Sequence, residues 1–272
     1  MESKPILITG CQRSGTTLLN LILDSHPTIS GIDETYFRDA FDTQKMHSAL
    51  QRTRRYKHTC FKLPMESHNI ASLKKEFPDL KVIWIVRDPR AVIASMITLH
   101  IKINPFVSVS WGTSHVHREI LNALRVLPDS TYDQLPEYVH RFMTLENVPS
   151  VSRKEEDVVF TCAFCWLLKQ LTVELHQQNG VPVELIHYED LTTTPAQTLR
   201  KLISGLGIEW HEDLLRHHAL HEGVSIGGTR NDQPITPGHI SKWTESLATE
   251  AIPLISAICG KKAQQYGYTG LY

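Results

Sequence analysis

In this chain of 272 residues, 28 lysines and arginines nearly balance 29 aspartates and glutamates, for a formal net charge of −1. That balance gives no general attraction to nucleic acid or an anionic membrane, so neither is expected as a partner and any basic site must be local. The length suits one large α/β domain spanning 1–272 rather than two. No apolar run reaches the roughly 18 to 20 residues of a membrane span, and the first strand pattern begins almost at Met1, which leaves no room for a cleavable leader. The expected location is therefore cytoplasmic. Five cysteines (Cys11, Cys60, Cys162, Cys165, Cys259) are an odd, scattered set that does not suggest a disulfide framework.

The first predicted element is the β-branched run Ile6, Leu7, Ile8; a loop of small residues follows, and then apolar Leu18, Leu19, Ile22 and Leu23 at helical spacing. In a strand, tight loop and helix, the loop N–H groups and the first helical turn converge, and the helix macrodipole adds roughly half a positive charge: an anion site. Gly10, Gly15 and Thr17 keep the spacing of the phosphate-binding pattern GxxxxGK[ST]. Thr16, however, stands where an ATPase or kinase has its lysine, and a guanidinium, Arg13, sits earlier in the loop. Next come His26-Pro27 and the loop TISGIDET with Glu34, a polar and mostly helical segment to about Arg55, and a short strand near 59–63 containing Lys62. Ile70, Leu73 and Phe77 mark a helix with Ser67 as its expected N-cap. VIWIV (82–86) is a continuous apolar run, as expected of a strand covered on both faces in a parallel sheet. It ends in Arg87-Asp88-Pro89-Arg90, where Pro89 suits a first helical turn, and Ser95 lies about two turns along the helix that follows. A planar guanidinium fork and a nearby hydroxyl are suited to holding a phosphate.

From 103 to 154 the period is lost and prolines intervene, but Trp111, Tyr132, Tyr138 and Phe142 argue against a disordered linker. This stretch is expected to be an insertion folded over the sheet edge, a lid or acceptor-binding segment. A long helix follows, EEDVVFTCAFCWLLKQLTVELHQQNG, with Gly180 just past its end. Its CxxC lies in an apolar helical stretch and reads as core packing. VELIHY (183–188) is expected to be another buried strand; a helix over LTTTPAQTLRKLISGLGI with Pro195 near its start and Gly205 or Gly207 ending it, a Gly-rich loop, and a final amphipathic helix complete the chain. His217, His218 and His221 are a close cluster, but adjacent positions diverge by about 100° on a helix, which does not favour a metal site. The fold expected is α/β: a P-loop-type three-layer arrangement of an open, mostly parallel sheet with helices on both faces, its ligands lying beyond the carboxyl ends of the strands. Arg13, Lys62, Arg87 and Tyr188 all fall at or just past such ends.

The string QRSGTT between strand and helix resembles the 5′-phosphosulfate loop of sulfotransferases that use 3′-phosphoadenosine 5′-phosphosulfate (PAPS). Arg87, with Ser95 eight residues later, resembles the 3′-phosphate element of the same enzymes. Within that family the tyrosylprotein sulfotransferases are the nearest likeness: their PRSGTTL, LDAHP and GEET are matched here by QRSGTTL, LDSHP and IDET. The resemblance implies that Arg13, Ser14, Gly15, Thr16 and Thr17 hold the phosphosulfate, that Arg87 and Ser95 hold the 3′-phosphate, and that Tyr188, in HYEDL, contacts the nucleotide. It also implies Glu34 as catalytic base, Lys62 (in FKLP) assisting transfer alongside Arg13, and Lys242 beside Trp243 as a cofactor contact. Thr229, Arg230 and Asn231 are candidates for a further cofactor contact. Two arginines of the family pattern are Tyr36 and Leu99 here, and no membrane anchor is expected beside the likeness.

The reaction implied is transfer of a sulfonate group from PAPS to an acceptor hydroxyl, leaving 3′,5′-ADP, with no metal. The acceptor would be a hydroxyl-bearing small molecule or a peptide, a phenol or peptide tyrosine being favoured over a carbohydrate. The alternatives are a P-loop small-molecule kinase and a non-catalytic nucleotide-binding protein. Thr16 in place of the lysine argues against the first. Should Glu34 not be the base, His187 and His239 are the replacements.

Overall fold

The computed structural model describes residues 3–37, 41–103, 111–132, 155–225 and 228–270. The chain divides into two compact units: Met1–Arg87 with His176–His239, and Asp88–Leu175 with Ile240–Tyr272.

The first unit is built on five parallel strands, β1 (Lys4–Gly10), β2 (Ile29–Ile32), β3 (His58–Lys62), β4 (Lys81–Val86) and β5 (Val183–His187), in the order β2-β3-β1-β4-β5. The most apolar runs take the middle of the sheet: Ile6, Leu7 and Ile8 of β1 and Ile83, Trp84, Ile85 and Val86 of β4 are wholly buried. Both faces of these strands are covered, so they lack the alternation of a half-exposed strand. After β1 the chain winds through β2 and β3 to one side, then crosses to β4 on the other. The order therefore reverses at the carboxyl ends of β1 and β4, the place where such sheets bind ligands. Helix α1 (Thr16–Asp24) packs on β1, β2 and β3. Helices α2 (Thr43–Arg52) and α3 (Ile70–Glu76) follow β2 and β3 in the chain.

Four expectations are corrected in this unit. TISGI holds a strand, β2, which its Ser30-Gly31 centre hides; pairing with β3 from Ile29↔His58 to Ile32↔Phe61 makes it extended. Ser67 is not an N-cap: it is buried inside a 3-10 turn, Pro64–Asn69, and α3 begins at Ile70 behind Asn69 with no side-chain cap. β5 is an edge strand, not a buried one, and leaves Glu184 and Leu185 exposed. Leu191 to Thr193 end a separate helix, Tyr188–Thr193, so the helix expected from Leu191 starts only at Pro195 and runs to Gly205, with Gly207 (φ 62) supplying the left-handed residue beyond it.

The second unit is helical among its described residues. It contains α4 (Pro89–Ile103), α5 (Trp111–Val126), α6 (Asp129–Tyr132), most of α7 (Glu155–Gln178) and, after α8 (Tyr188–Thr193) and α9 (Pro195–Gly205) of the first unit, α10 (Trp243–Ser246) and α11 (Ala251–Gln265). α4 packs on α5, α10 and α11. Part of the aperiodic 103–154 stretch is thus regular helix, while Tyr138, Phe142 and the lid expected around them lie outside the described residues. Within α7, Val158–Gln178 is long and apolar enough to cross a membrane by length and composition, with a mean hydropathy of 1.5. This corrects the expectation that no run reaches that length: Lys169, Gln170 and Thr172 interrupt the apolar pattern without lowering its mean enough. With 72% of its apolar 18-residue window buried, the segment has the character of a core helix. Cys162 and Cys165 lie within it as buried free thiols, and burial pushes the Cys162 thiol well up. Gly180 (φ 79) follows α7; its N–H donates to Gln177 O, and the Val181 N–H donates to His176 O.

Candidate active site

Each of the five strands delivers a polar residue at or immediately past its carboxyl end. β1 leads to Arg13, β2 to Asp33 and Glu34, β3 ends on Lys62, β4 is followed by Arg87, and β5 by Tyr188. In an all-parallel sheet these ends share one edge.

The loop after β1 is shaped by backbone. Gly10 (φ 147) lies against β4 so closely that a Cβ would meet Ile85 O at 2.4 Å. Gly15 (φ 101) is the N-cap of α1 and offers no side-chain cap; a Cβ there would lie 2.5 Å from the Tyr188 ring. Arg13, at φ 70, is the one non-glycine residue with positive φ among those described. A left-handed non-glycine residue costs of order 1 kcal/mol, and here it turns the Arg13 carbonyl to accept Arg87 Nη1 at 3.1 Å. Arg87 also donates from Nη2 to His239 O at 2.6 Å and lies over the Tyr188 ring, 4.2 Å from its centroid. Tyr188 thus packs against both Gly15 and Arg87.

Charge in this corner is unbalanced toward the positive. Burial lowers the Arg13 pKa, and the Arg87 charge lowers it further against the pull of Glu34 and Tyr188. Burial raises the Tyr188 hydroxyl, with both guanidiniums opposing the rise. Two guanidiniums drawn close enough to repel, at the amino end of a helix, form an arrangement that an anion relieves. The buried Ser14 Oγ has no hydrogen-bond partner among the described residues, and it stands one residue before the N-cap. A phosphate-bearing ligand fits this corner: it would supply acceptor oxygens for the loop amides, the Ser14 hydroxyl and the two guanidiniums.

Beside the loop lies a second cluster. Lys62, only 2% exposed, places Nζ 2.7 Å from Glu34 Oε1, 2.8 Å from Asp33 Oδ2 and 3.4 Å from Thr17 Oγ1. The two carboxylates remain about one-third exposed, at 33% and 35%. Glu34 opens a 3-10 turn, Glu34–Phe37, and Asp33 caps it: its Oδ1 accepts the Thr35 N–H at 3.0 Å and its carbonyl accepts the Tyr36 N–H. Burial pushes the Asp33 carboxyl up, but the Lys62 charge and the hydrogen bonds from Lys62 and Thr35 prevail and hold it below the ordinary carboxylate value. Asp33 was missed in the sequence. Its signal was available as the acid next to Glu34, but nothing local shows that it turns to Lys62.

The structure therefore gathers Arg13, Ser14, Gly15, Thr17, Glu34, Lys62, Arg87 and Tyr188 at one sheet edge, where Thr16 begins α1. Other candidates lie on other elements. Thr229 and Arg230 belong to a small surface hairpin, closed by the Val224↔Arg230 bridge and Ser225 N–H to Thr229 O; Arg230 is exposed and engages Asp232 at 3.1 Å. The Asn231 side chain joins Ser225 and Glu222 O. Ser95 and Lys242 belong to the second unit, Ser95 on α4 and the exposed Lys242 at the start of α10. In that unit Asp88 is held by Arg90 at 2.6 Å. His217, His218 and His221 lie on or just past a short 3-10 turn, with His221 Nε2 hydrogen-bonded to Leu21 O.

Residues 3–267 match the family described as the sulfotransferase domain. Protein-tyrosine sulfotransferase 1 of Danio rerio is 23% identical over 281 aligned residues, which cover 89% of this chain and 66% of that protein. The chain thus spans just under two-thirds of that relative's length. Among solved structures, a sulfotransferase domain from the curacin biosynthetic pathway superposes with a TM-score of 0.59 at 14% identity, covering 99% of both chains. A mouse sulfotransferase complexed with PAP gives 0.54 at 14% identity, covering 98% of this chain and 89% of its own. At these identities the two structures establish the shared α/β three-layer fold.

Proposed function

This chain belongs to the sulfotransferase family, and on that premise we propose that it transfers a sulfonate group from PAPS to an acceptor hydroxyl, with a phenol or peptide tyrosine as the first acceptor class. The observation that carries the proposal is the convergence of a mutually repelling guanidinium pair, Arg87 buried and Arg13 half-buried, with a Lys62–Glu34 contact of 2.7 Å at one carboxyl edge. The first arrangement suits a nucleotide bearing two anionic groups, the second a proton transfer. The protein-tyrosine specificity of the zebrafish relative supports the acceptor class.

PAPS supplies the sulfonate and, as 3′,5′-ADP, the leaving group. Arg13, Ser14 and the amides of Gly15, Thr16 and Thr17 bind the 5′ end, and Arg87, stacked on Tyr188, binds the 3′-phosphate. Glu34 takes the proton of the acceptor hydroxyl as that oxygen bonds to sulfur, an effect worth about 10² to 10⁴ in rate. Lys62 holds Glu34 Oε1 in place and, with Arg13 and the loop amides, offsets the charge left on the departing 5′-phosphate oxygen. By analogy with phosphoryl transfer, such loosely bonded transfers depend chiefly on positioning and electrostatics.

The test has two arms. 3′,5′-ADP without Mg²⁺ should raise the unfolding temperature where Mg²⁺-ATP does not, and PAPS should be turned over with phenolic acceptors in a panel that includes carbohydrate hydroxyls. Protection by Mg²⁺-ATP alone would identify a kinase-like protein instead. Protection by 3′,5′-ADP without turnover on any acceptor would identify a binding protein.

A further inference from the structure

We infer that Asp33 tunes the base: by sharing Lys62 with Glu34 it keeps the Glu34 carboxylate basic enough to take the acceptor's proton. This inference rests on the reading of Glu34 given above. The geometry behind it is an ammonium, 2% exposed, with one oxygen from each of two adjacent carboxylates within 2.8 Å. A lysine facing Glu34 alone would place its whole charge against that carboxylate and favour its ionised form, making it a weaker base. Asp33 counters this in two ways. It takes a share of the Lys62 charge, and it adds a negative charge beside Glu34, which favours the protonated form. Its own environment suits that part: Lys62 and the Thr35 N–H hold Asp33 ionised, so its negative charge stays beside Glu34.

Once Glu34 has accepted a proton, Asp33 and Lys62 remain as a neutral pair, so the buried ammonium never loses its counter-charge during turnover. Among the described residues, the charged groups facing Glu34 are Lys62 from β3, Asp33 from the end of β2 and Arg13 from the loop after β1. Arg13 acts in the same sense as Lys62 and is untouched by changes at Asp33. Asp33 is thus a positioning residue, since it works through Lys62 and through the cap of the 3-10 turn, and the two contributions separate experimentally. In Asp33→Asn the side-chain oxygen can still accept the Thr35 N–H while the charge is gone; Asp33→Glu restores the charge.

The experiment is the pH profile of kcat with saturating PAPS and a phenolic acceptor whose own pKa lies well above the range scanned. Turnover should rise with pH along an acid limb. With the Asp33 charge gone, in Asp33→Asn that limb should move to lower pH by about half a unit to one unit, as expected on losing one negative charge roughly 5 Å from the base in a partly solvated site. The plateau should fall several-fold because the base is weaker. Asp33→Glu should return the limb toward its original place, and protection by 3′,5′-ADP should show that both variants keep the nucleotide site. An unmoved limb, with Glu34→Gln inactive, overturns the inference alone and reduces Asp33 to a cap. A loss in Asp33→Asn as deep as that in Glu34→Gln also overturns it, making Asp33 the base. Full turnover by Glu34→Gln removes the reading of Glu34 and this inference together.

Discussion

Among the described residues two lysines are almost wholly buried, one in each compact unit, and their partners differ. Lys169 on α7 meets Glu119 of α5, and both side chains are sealed, at 2% and 0% exposure. Lys62 is equally buried, but its partners Asp33 and Glu34 are about one-third exposed. The Lys169 pair is closed to anything from outside and can only hold helices in register. Lys62 instead presents buried positive charge through carboxylates that a substrate can reach. Burial of a charge alone therefore does not mark a site; burial with a solvent-facing partner does, because only then can a proton or a ligand exchange with the outside.

The largest effect expected from this contrast is on stability. Glu119→Leu removes the carboxylate opposite a buried ammonium and should cost roughly 3 to 5 kcal/mol, read as a lower urea midpoint, whereas Glu119→Leu combined with Lys169→Met should recover much of it. A single variant of unchanged stability would show that the pair is not sealed. Next is Arg87→Ala, which loses a charged phosphate contact and should weaken 3′,5′-ADP by roughly 2 to 4 kcal/mol, measured by calorimetry. Saturating PAPS should then restore most of kcat, since the 3′-phosphate is remote from the sulfur; unchanged affinity would place that phosphate elsewhere. Glu34→Gln should bind 3′,5′-ADP normally and unfold within about 1 kcal/mol of the parent, yet lose about a hundredfold in kcat. That defect should be smaller for acidic phenols and larger for aliphatic alcohols. A stability loss like that of Glu119→Leu would erase the distinction between the two lysines. The smallest effect is expected of Tyr188→Phe, which keeps the ring under Arg87 and against Gly15 and should change 3′,5′-ADP affinity by less than about 1 kcal/mol. A loss matching Arg87→Ala would assign the hydroxyl as the nucleotide contact.

The parts of the site legible in the sequence are those whose geometry is local. Ile6 to Leu23 announces strand, loop and helix within one window, and Gly10 and Gly15 stand where β4 and Tyr188 come too close for a Cβ. Arg87 was legible because a continuous apolar run ends on it and Pro89 starts the next helix. Lys62 and Glu34 could be nominated by resemblance, but their contact spans 28 residues and no local period encodes it.

The sequence by itself determined the α/β class, the anion loop and the strand that carries Arg87, because backbone propensity and continuous burial leave a signal inside a few consecutive residues. The tertiary structure alone decided the rest. It made Ile29–Ile32 a strand through pairing with β3 and set β5 at the sheet edge, since a four- or five-residue strand is defined by its neighbours and not by its own pattern. It also brought Asp33 to Lys62, because an ion pair is fixed by where two strand ends meet in space, and that depends on sheet order, which no window of sequence contains.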